Sequence, residues 1–254
     1  MTVRVAGHFG EWLQGRMGPD GPVALVTLAC PALCAYATTR DEAPDLDPFF
    51  AALGVPPVNA RIALDMPLGA GAGASTASLV ALARLAGYAG PPERLAQACL
   101  SVEGASDPLM FDAPDSLLWA SREGRILDHF LPPPACEIIG GYWGAPVPTD
   151  PRNSDFDDIS DLAAAWKTAV AARDLVTCAR VATESASRAA RRDHAPDPMA
   201  ALCADLGALG IVRAHTGSAR GLVFAKGAAP PRAIAALTDA GLTGVLQFQT
   251  GVSP

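Results

Sequence analysis
The sequence predicts an α/β (α+β) fold in two domains, and three observations carry that expectation. After Cys136 the strand and helix patterns, with helices between strands counted as one layer, run β, α, β, β, α, β, the order of a ferredoxin-like domain. Before Cys136 the order is mixed, and a strand pattern at residues 60–65 delivers the chain into a glycine-alternating loop that opens an amphipathic helix. The length of 254 residues, 50% of them hydrophobic, allows one large core or two ordinary ones. The expected domains are residues 1–135 and 136–254, with the glycine loop at their junction.

Taken in order, residues 3–6 read as a short strand running into GHFGEWLQG, where two glycines bracket His8 and Glu11 follows. The bracketing glycines suggest a loop that presents side chains to a ligand, and a turn with a solvated Glu11 is the plain alternative. Residues 17–22 (MGPDGP) form a hairpin turn by their Pro-Asp-Gly content and return the chain as a strand at 23–28. Residues 41–57 are acidic and proline-rich, hence a surface connection. The stretch MPLGAGAGASTASLVALARLAGY then joins Gly69, Gly71 and Gly73 to a helix stopped by Gly87. Glycines at this spacing let successive backbone N–H groups wrap an anion, and the helix adds its positive N-terminal end. Ser75 and Thr76 fall at the helix start, where a hydroxyl can cap the backbone, bind a phosphate oxygen or ligate a metal. The pattern is neither the Walker loop nor the dinucleotide fingerprint. A flexible Gly/Ala loop before a core helix is the other reading.

A second helix is expected over residues 92–103, with proline in its first turn and Leu95, Ala98, Cys99 and Val102 as its buried stripe. Glu103 in its last turn faces the negative end of the helix dipole, which disfavours a carboxylate unless a cation is near. That makes Glu103 a candidate magnesium ligand, beside the alternative of an exposed helix-end glutamate. The loop GASDPLMFDAPDS follows, with Ser106, Asp107, Asp112 and Asp115 too crowded to separate by spacing. Beyond Cys136, CEIIGGYWG reads as a strand, residues 159–173, 175–192 and 199–206 as helices, IVRAHTG and GLVFAK as strands, 232–240 as a helix and GVLQFQ as the last strand. The turn HTGSARG between the central strands is a further polar glycine loop. Its His215 alone reads as a core-edge histidine, and Arg220 as a phosphate contact or a solvated turn residue.

Composition narrows the partners. A net charge of −7 argues against nonspecific binding of nucleic acid or anionic membrane and leaves small molecules. The six cysteines include no CxxC pair, so reduced thiols and a cytoplasmic home are expected. MTVRVAGHFGEW meets glycine and a carboxylate too early for a signal peptide. The charge-free run of 19 residues at 21–39 is broken by Pro31, so two buried strands are expected there rather than a membrane span.

Four motifs in register, GEWLQG (10–15), PLGAGAGASTAS (67–78), VEGASD (102–107) and RAHTGSARGLVFA (213–225), resemble the GHMP kinase superfamily, and within it the L-threonine kinases of cobalamin synthesis and propanediol utilisation. The resemblance spans nearly the whole chain. It implies a ribosomal S5 domain 2-like N-terminal domain, a ferredoxin-like C-terminal domain, and ATP with Mg2+ as cofactors. By the same resemblance Pro67, Gly69, Gly71, Gly73, Ser75 and Thr76 hold the triphosphate, and Ser75 with Glu103 holds the metal. Glu103, Ser75 and Asp107 form the catalytic group, while Gly10, Glu11, Gln14, His215, Thr216, Gly217 and Ser218 line the acceptor side. The implied reaction is phosphorylation of L-threonine to O-phospho-L-threonine, with homoserine or another small alcohol as alternative acceptor, or a nonenzymatic binding role. A homodimer is the candidate assembly. The chain departs from the family pattern at Ala74, where a serine is usual, at Ser78, where an aspartate is usual, at Phe9 in place of a cysteine, and at LWAS (118–121), which lacks an acidic group.

Overall fold
The computed structural model describes residues 1–39, 46–191 and 197–251. Strand β1 (Thr2–Arg16) and strand β2 (Val23–Thr39) form a long antiparallel hairpin closed by the turn at 17–22. The stretch expected as the loop GHFGEWLQG is therefore strand. Phe9, Trp12 and Leu13 are wholly buried there, and the ladder absorbs the glycines as register shifts after Ala6, His8 and Glu11. Nor does Pro31 split β2 in two. Ala6 pairs with Cys34 and Gly7 with Cys30, so Pro31 lies in the skipped segment, where no ladder N–H is required.

Helix α1 (Asp47–Leu53) buries Phe49, Phe50 and Leu53 within what was expected to be a surface connection; the beginning of that connection, 41–45, lies outside the described residues. Strand β3 (Ala60–Leu64) pairs with β2, and helix α2 (Ala74–Leu85) follows the glycine loop. Helix α3 (Pro92–Glu103) has the ends its Pro start and the Gly104 C-cap dictate. Strands β4 (Leu117–Ala120) and β5 (Arg125–His129) make a hairpin that short-range patterning did not announce. Then come β6 (Glu137–Tyr142), α4 (Ser160–Ala171), α5 (Leu175–Ala190), α6 (Met199–Leu206), β7 (Gly210–Arg213), β8 (Ala219–Phe224), α7 (Ala233–Asp239) and β9 (Thr243–Gln249). Arg192, the expected end of α5, lies outside the described residues.

The strands form one mixed-length antiparallel sheet in the order β5-β4-β2-β1-β7-β8-β6-β9, with β3 beside β2. Its middle is thin: β1 and β7 meet at the single pair Glu11–Arg213. Packing bridges this seam. Phe9 of β1 lies against Tyr142 and Phe248, with ring centroids 5.9 and 5.8 Å away, and Trp12 stacks near Trp166 of α4 at 5.4 Å. A second cluster under β6 and β8, including Leu222, Phe224, Leu202 and Leu237, secures α6 and α7. The seam beside Glu11 and Arg213 is where the cleft opens.

Candidate active site
A cleft of about 440 Å³ opens there, lined on one side by the glycine loop and on the other by α3 and the segments after it. Gly69, Gly71 and Gly73 all have left-handed φ, at 72°, 74° and 70°, which side chains rarely adopt. The loop is fastened by its carbonyls: Ala72 O accepts from His8 N, Gly71 O from Gly10 N, each at 3.1 Å, and Ala70 O from Ser218 N and Ala219 N at 3.1 and 2.9 Å. A Cβ at Gly71 would strike Ala214 and the Thr216 carbonyl, and one at Gly73 would strike the His8 ring and Leu109. The space these glycines vacate is thus filled by the 214–216 turn and by His8, which brings both up to the loop. Helix α2 begins at Ala74 with no side chain capping its first turn, so its orphan N–H groups are free for an anion.

Thr76 donates its hydroxyl to Glu103 Oε2 at 3.1 Å and accepts from Asp107 N at 3.3 Å, placing the α3 terminus against the start of α2. Glu103 Oε1 is buried without a hydrogen-bond partner. Burial, with the Asp107 charge adding to it, pushes the Glu103 carboxyl up to about 8; the hydroxyls of Ser75 and Thr76 pull the other way. An orphaned carboxylate oxygen beside a serine hydroxyl is a donor set that suits a hard cation such as Mg2+.

His8 sits between two carboxylates. Its Nε2 lies 3.2 Å from Asp107 Oδ2 and its Nδ1 lies 3.8 Å from Glu11 Oε1 and 3.3 Å from Gly10 O. Burial works against the imidazolium, but Asp107 and then Glu11 outweigh it and raise the ring to about 9. The same pairing holds Asp107 below the ordinary carboxylate range in spite of burial. Glu11 is pushed up to about 8, chiefly by burial, and accepts a short hydrogen bond from His215 N. The His215 ring stacks on Phe156 with centroids 4.1 Å apart, and Thr149 and Thr216 share a hydroxyl hydrogen bond of 2.7 Å, so residues 147–156 form the outer lip.

Of the residues expected at the site, Glu11, Gly69, Gly71, Gly73, Ser75, Glu103, Asp107, His215 and Thr216 line the cleft together. Others sit behind it. Thr76 backs Glu103, Gly10 and Gly217 allow close backbone approaches, and Ser218 is buried against the loop. Pro67 precedes the lining part of the loop. Gln14 is buried, with its amide donating to Arg213 O and its N–H to Ser185 Oγ, so it ties β1 to β7 and α5. His8, Ser106 and Arg122 line the cleft without having been singled out. Only the glycines around His8 hinted at it.

No protein-family model matches the chain, and no curated protein matches its sequence. Solved structures do. Homoserine kinase from Cytophaga hutchinsonii superposes with a TM-score of 0.61 at 15% identity, covering 99% of this chain and 95% of that one. Mevalonate kinase from Staphylococcus aureus MRSA252 gives 0.61 at 12%, covering 100% and 99%, and phosphomevalonate kinase from Streptococcus pneumoniae 0.62 at 13%, covering 98% of each. The chain shares its fold with these homoserine, mevalonate and phosphomevalonate kinases. Among the described residues no helix is long and apolar enough to cross a membrane.

Proposed function
We propose that the protein is an ATP- and Mg2+-dependent kinase that phosphorylates the hydroxyl of L-threonine to O-phospho-L-threonine, as the aminopropanol arm of cobalamin requires. The kinase neighbours and the four sequence motifs support the class of reaction. The observation that carries the reading is the buried, unpartnered Glu103 Oε1 standing beside Ser75 at the uncapped start of α2. Bound MgATP would supply the phosphoryl group and much of the charge neutralisation.

The chain's own residues do the rest by position. The glycine loop and the first turn of α2 hold polyphosphate through backbone N–H groups, and Glu103 and Ser75 hold the metal. Asp107, kept ionised by His8, is the carboxylate that can take the proton of the acceptor hydroxyl, and the imidazolium fixes its orientation. Glu11, immobilised by the His215 N–H, closes the acceptor end. Ala74 removes one hydroxyl from the phosphate loop, where backbone N–H groups remain. Ser78, the other departure, donates to Ala74 O at 2.7 Å within α2 and does not line the cleft.

The test is transfer of labelled phosphate from ATP to L-threonine, L-homoserine and L-serine in separate and competing reactions. Preferred labelling of threonine is expected. Preference for homoserine would move the assignment to that acceptor, and binding of MgATP without transfer to any of the three would make the protein a nucleotide-binding member of the fold.

A further inference from the structure
We infer that Arg122, with the Ser106 hydroxyl, binds the carboxylate of the acceptor, so that the substrate is a hydroxy-amino acid and not a neutral alcohol. The inference rests on the kinase reading of the cleft and adds to it the group by which the acceptor is chosen. Arg122 stands two residues past the end of β4 and lines the cleft half-buried. Its contacts are poor ones: 3.4 Å to Ser121 Oγ and 3.4 Å to Asp150 O, while Nε is buried with no partner. Among the described residues no carboxylate reaches ion-pair distance of it. The Ser106 hydroxyl, on the same wall, is likewise buried without a partner, and Ser106 N bonds Ser121 O at 2.9 Å, which sets residue 106 alongside the start of the arginine. Buried polar atoms in a folded chain are satisfied as a rule, so two orphans on residues lining one wall of a cleft call for a ligand group that accepts hydrogen bonds from both.

The charge balance gives that group its sign. Glu11, Glu103 and Asp107 line the cleft, and His8 is taken up between two of them. The whole sequence holds two lysines, Lys167 and Lys226, and neither lines the cleft. Arg122 is a cleft-lining guanidinium with Nε unused and its other two nitrogens held only by long contacts, and its planar fork matches a carboxylate or a phosphoryl group. Its location favours the carboxylate. Its Nη2 reaches the carbonyl of Asp150, the neighbour of Thr149, whose hydroxyl bonds Thr216 in the turn on the acceptor side.

The experiment compares wild type, Arg122→Gln, Arg122→Lys and Ser106→Ala with two acceptors, L-threonine and aminopropanol, which is threonine without its carboxylate. Retention of a MgATP-induced rise in melting temperature shows that each variant is folded with its nucleotide end intact. Arg122→Gln is expected to raise KM for threonine about 10- to 100-fold with little change in kcat, and to erode the threonine-over-aminopropanol preference by the same factor. Arg122→Lys should recover part of the loss. A fall in kcat for both acceptors with KM for threonine unmoved would put Arg122 on the transferred phosphoryl group and overturn the inference, as would an unchanged preference. Should wild type transfer phosphate to neither acceptor, the kinase reading fails, and calorimetric titration with L-threonine decides separately. Binding by wild type that weakens at least tenfold in Arg122→Gln sustains the carboxylate site; no binding by wild type, or equal binding by both, removes it.

Discussion

The two walls of the cleft are built from opposite materials. The glycine wall is backbone: its shape depends on atoms that are missing at Gly69, Gly71 and Gly73 and on carbonyls tied to β1 and to the 214–219 turn. The rest of the lining is side chain: buried His8 and Glu11 and half-buried Glu103 and Asp107 are ionisable groups held close together. A backbone wall tolerates no added bulk but is indifferent to pH, whereas a side-chain wall tolerates isosteric change but shifts with every proton or cation it gains.

The strongest break of the first wall is Gly71→Val. The new Cβ would overlap Ala214 and the Thr216 carbonyl while φ stays at 74°, so strain and overpacking add to roughly 2–5 kcal/mol. We expect a melting temperature lower by roughly 5–15 °C and no further rise with MgATP. A variant that melts like wild type would show that loop and turn are not held together as described. The second wall is broken by His8→Asn, which leaves Asp107 and Glu11 without their cation. The cost is about 2–3 kcal/mol, below that of a fully buried pair because Asp107 is partly open to solvent. Denaturant unfolding of His8→Asn, Asp107→Asn and the double variant measures the coupling. Additive effects would mean the two side chains act separately.

The pH response sharpens the contrast. His8 keeps its proton to about 9, above its unfolded value of 6.5, so its stabilisation is complete below 6.5 and is lost as pH rises through about 9. Glu11 and Glu103, raised from 4.5 to about 8, run in the same direction, since their ionisation in the fold is disfavoured by burial. The melting temperature should therefore decline between about pH 5 and pH 9.5, and His8→Asn should flatten the upper part of that decline. A curve that rises over this interval contradicts the assignment of the side-chain wall. The smallest effect is expected at Ser78→Ala. The hydroxyl bonds only within its own helix, so stability should stay within about 0.5 kcal/mol of wild type and phosphate transfer should be unchanged.

What could be read from the sequence follows the same division. The glycine wall is local, so consecutive residues announce it, and the bounds of α3 and α6 are fixed by prolines at their starts and by Gly104 and Gly207 at their ends. Glu103 was legible because an acid at a helix C-terminus is electrostatically out of place. The His8–Asp107 pair was not, because its partners come from β1 and the loop after α3, which only the fold brings together. Ser106 and Arg122 are met across the β4 edge for the same reason. Strand β1 reads as a loop in the sequence because its bulges break the two-residue alternation that marks a strand, and Pro31 suggests a break that β2 bridges by skipping residues in its register. The β4–β5 hairpin is too short to carry a period of its own.

The most direct test of the account is the rate of phosphate transfer from ATP to L-threonine by wild type and Glu103→Gln across a magnesium titration. The amide is nearly isosteric with the carboxylate, so the variant should melt within a few degrees of wild type. If the orphaned Glu103 oxygen holds the metal, transfer at saturating magnesium should fall by about 10²–10³-fold, the magnitude lost when one charge-stabilising group is removed from a transition state. The magnesium concentration for half-maximal rate should rise as well. A Glu103→Gln enzyme with wild-type rate and wild-type magnesium dependence would contradict the account, leaving Glu103 as a structural partner of Thr76 and the metal end of the cleft unassigned.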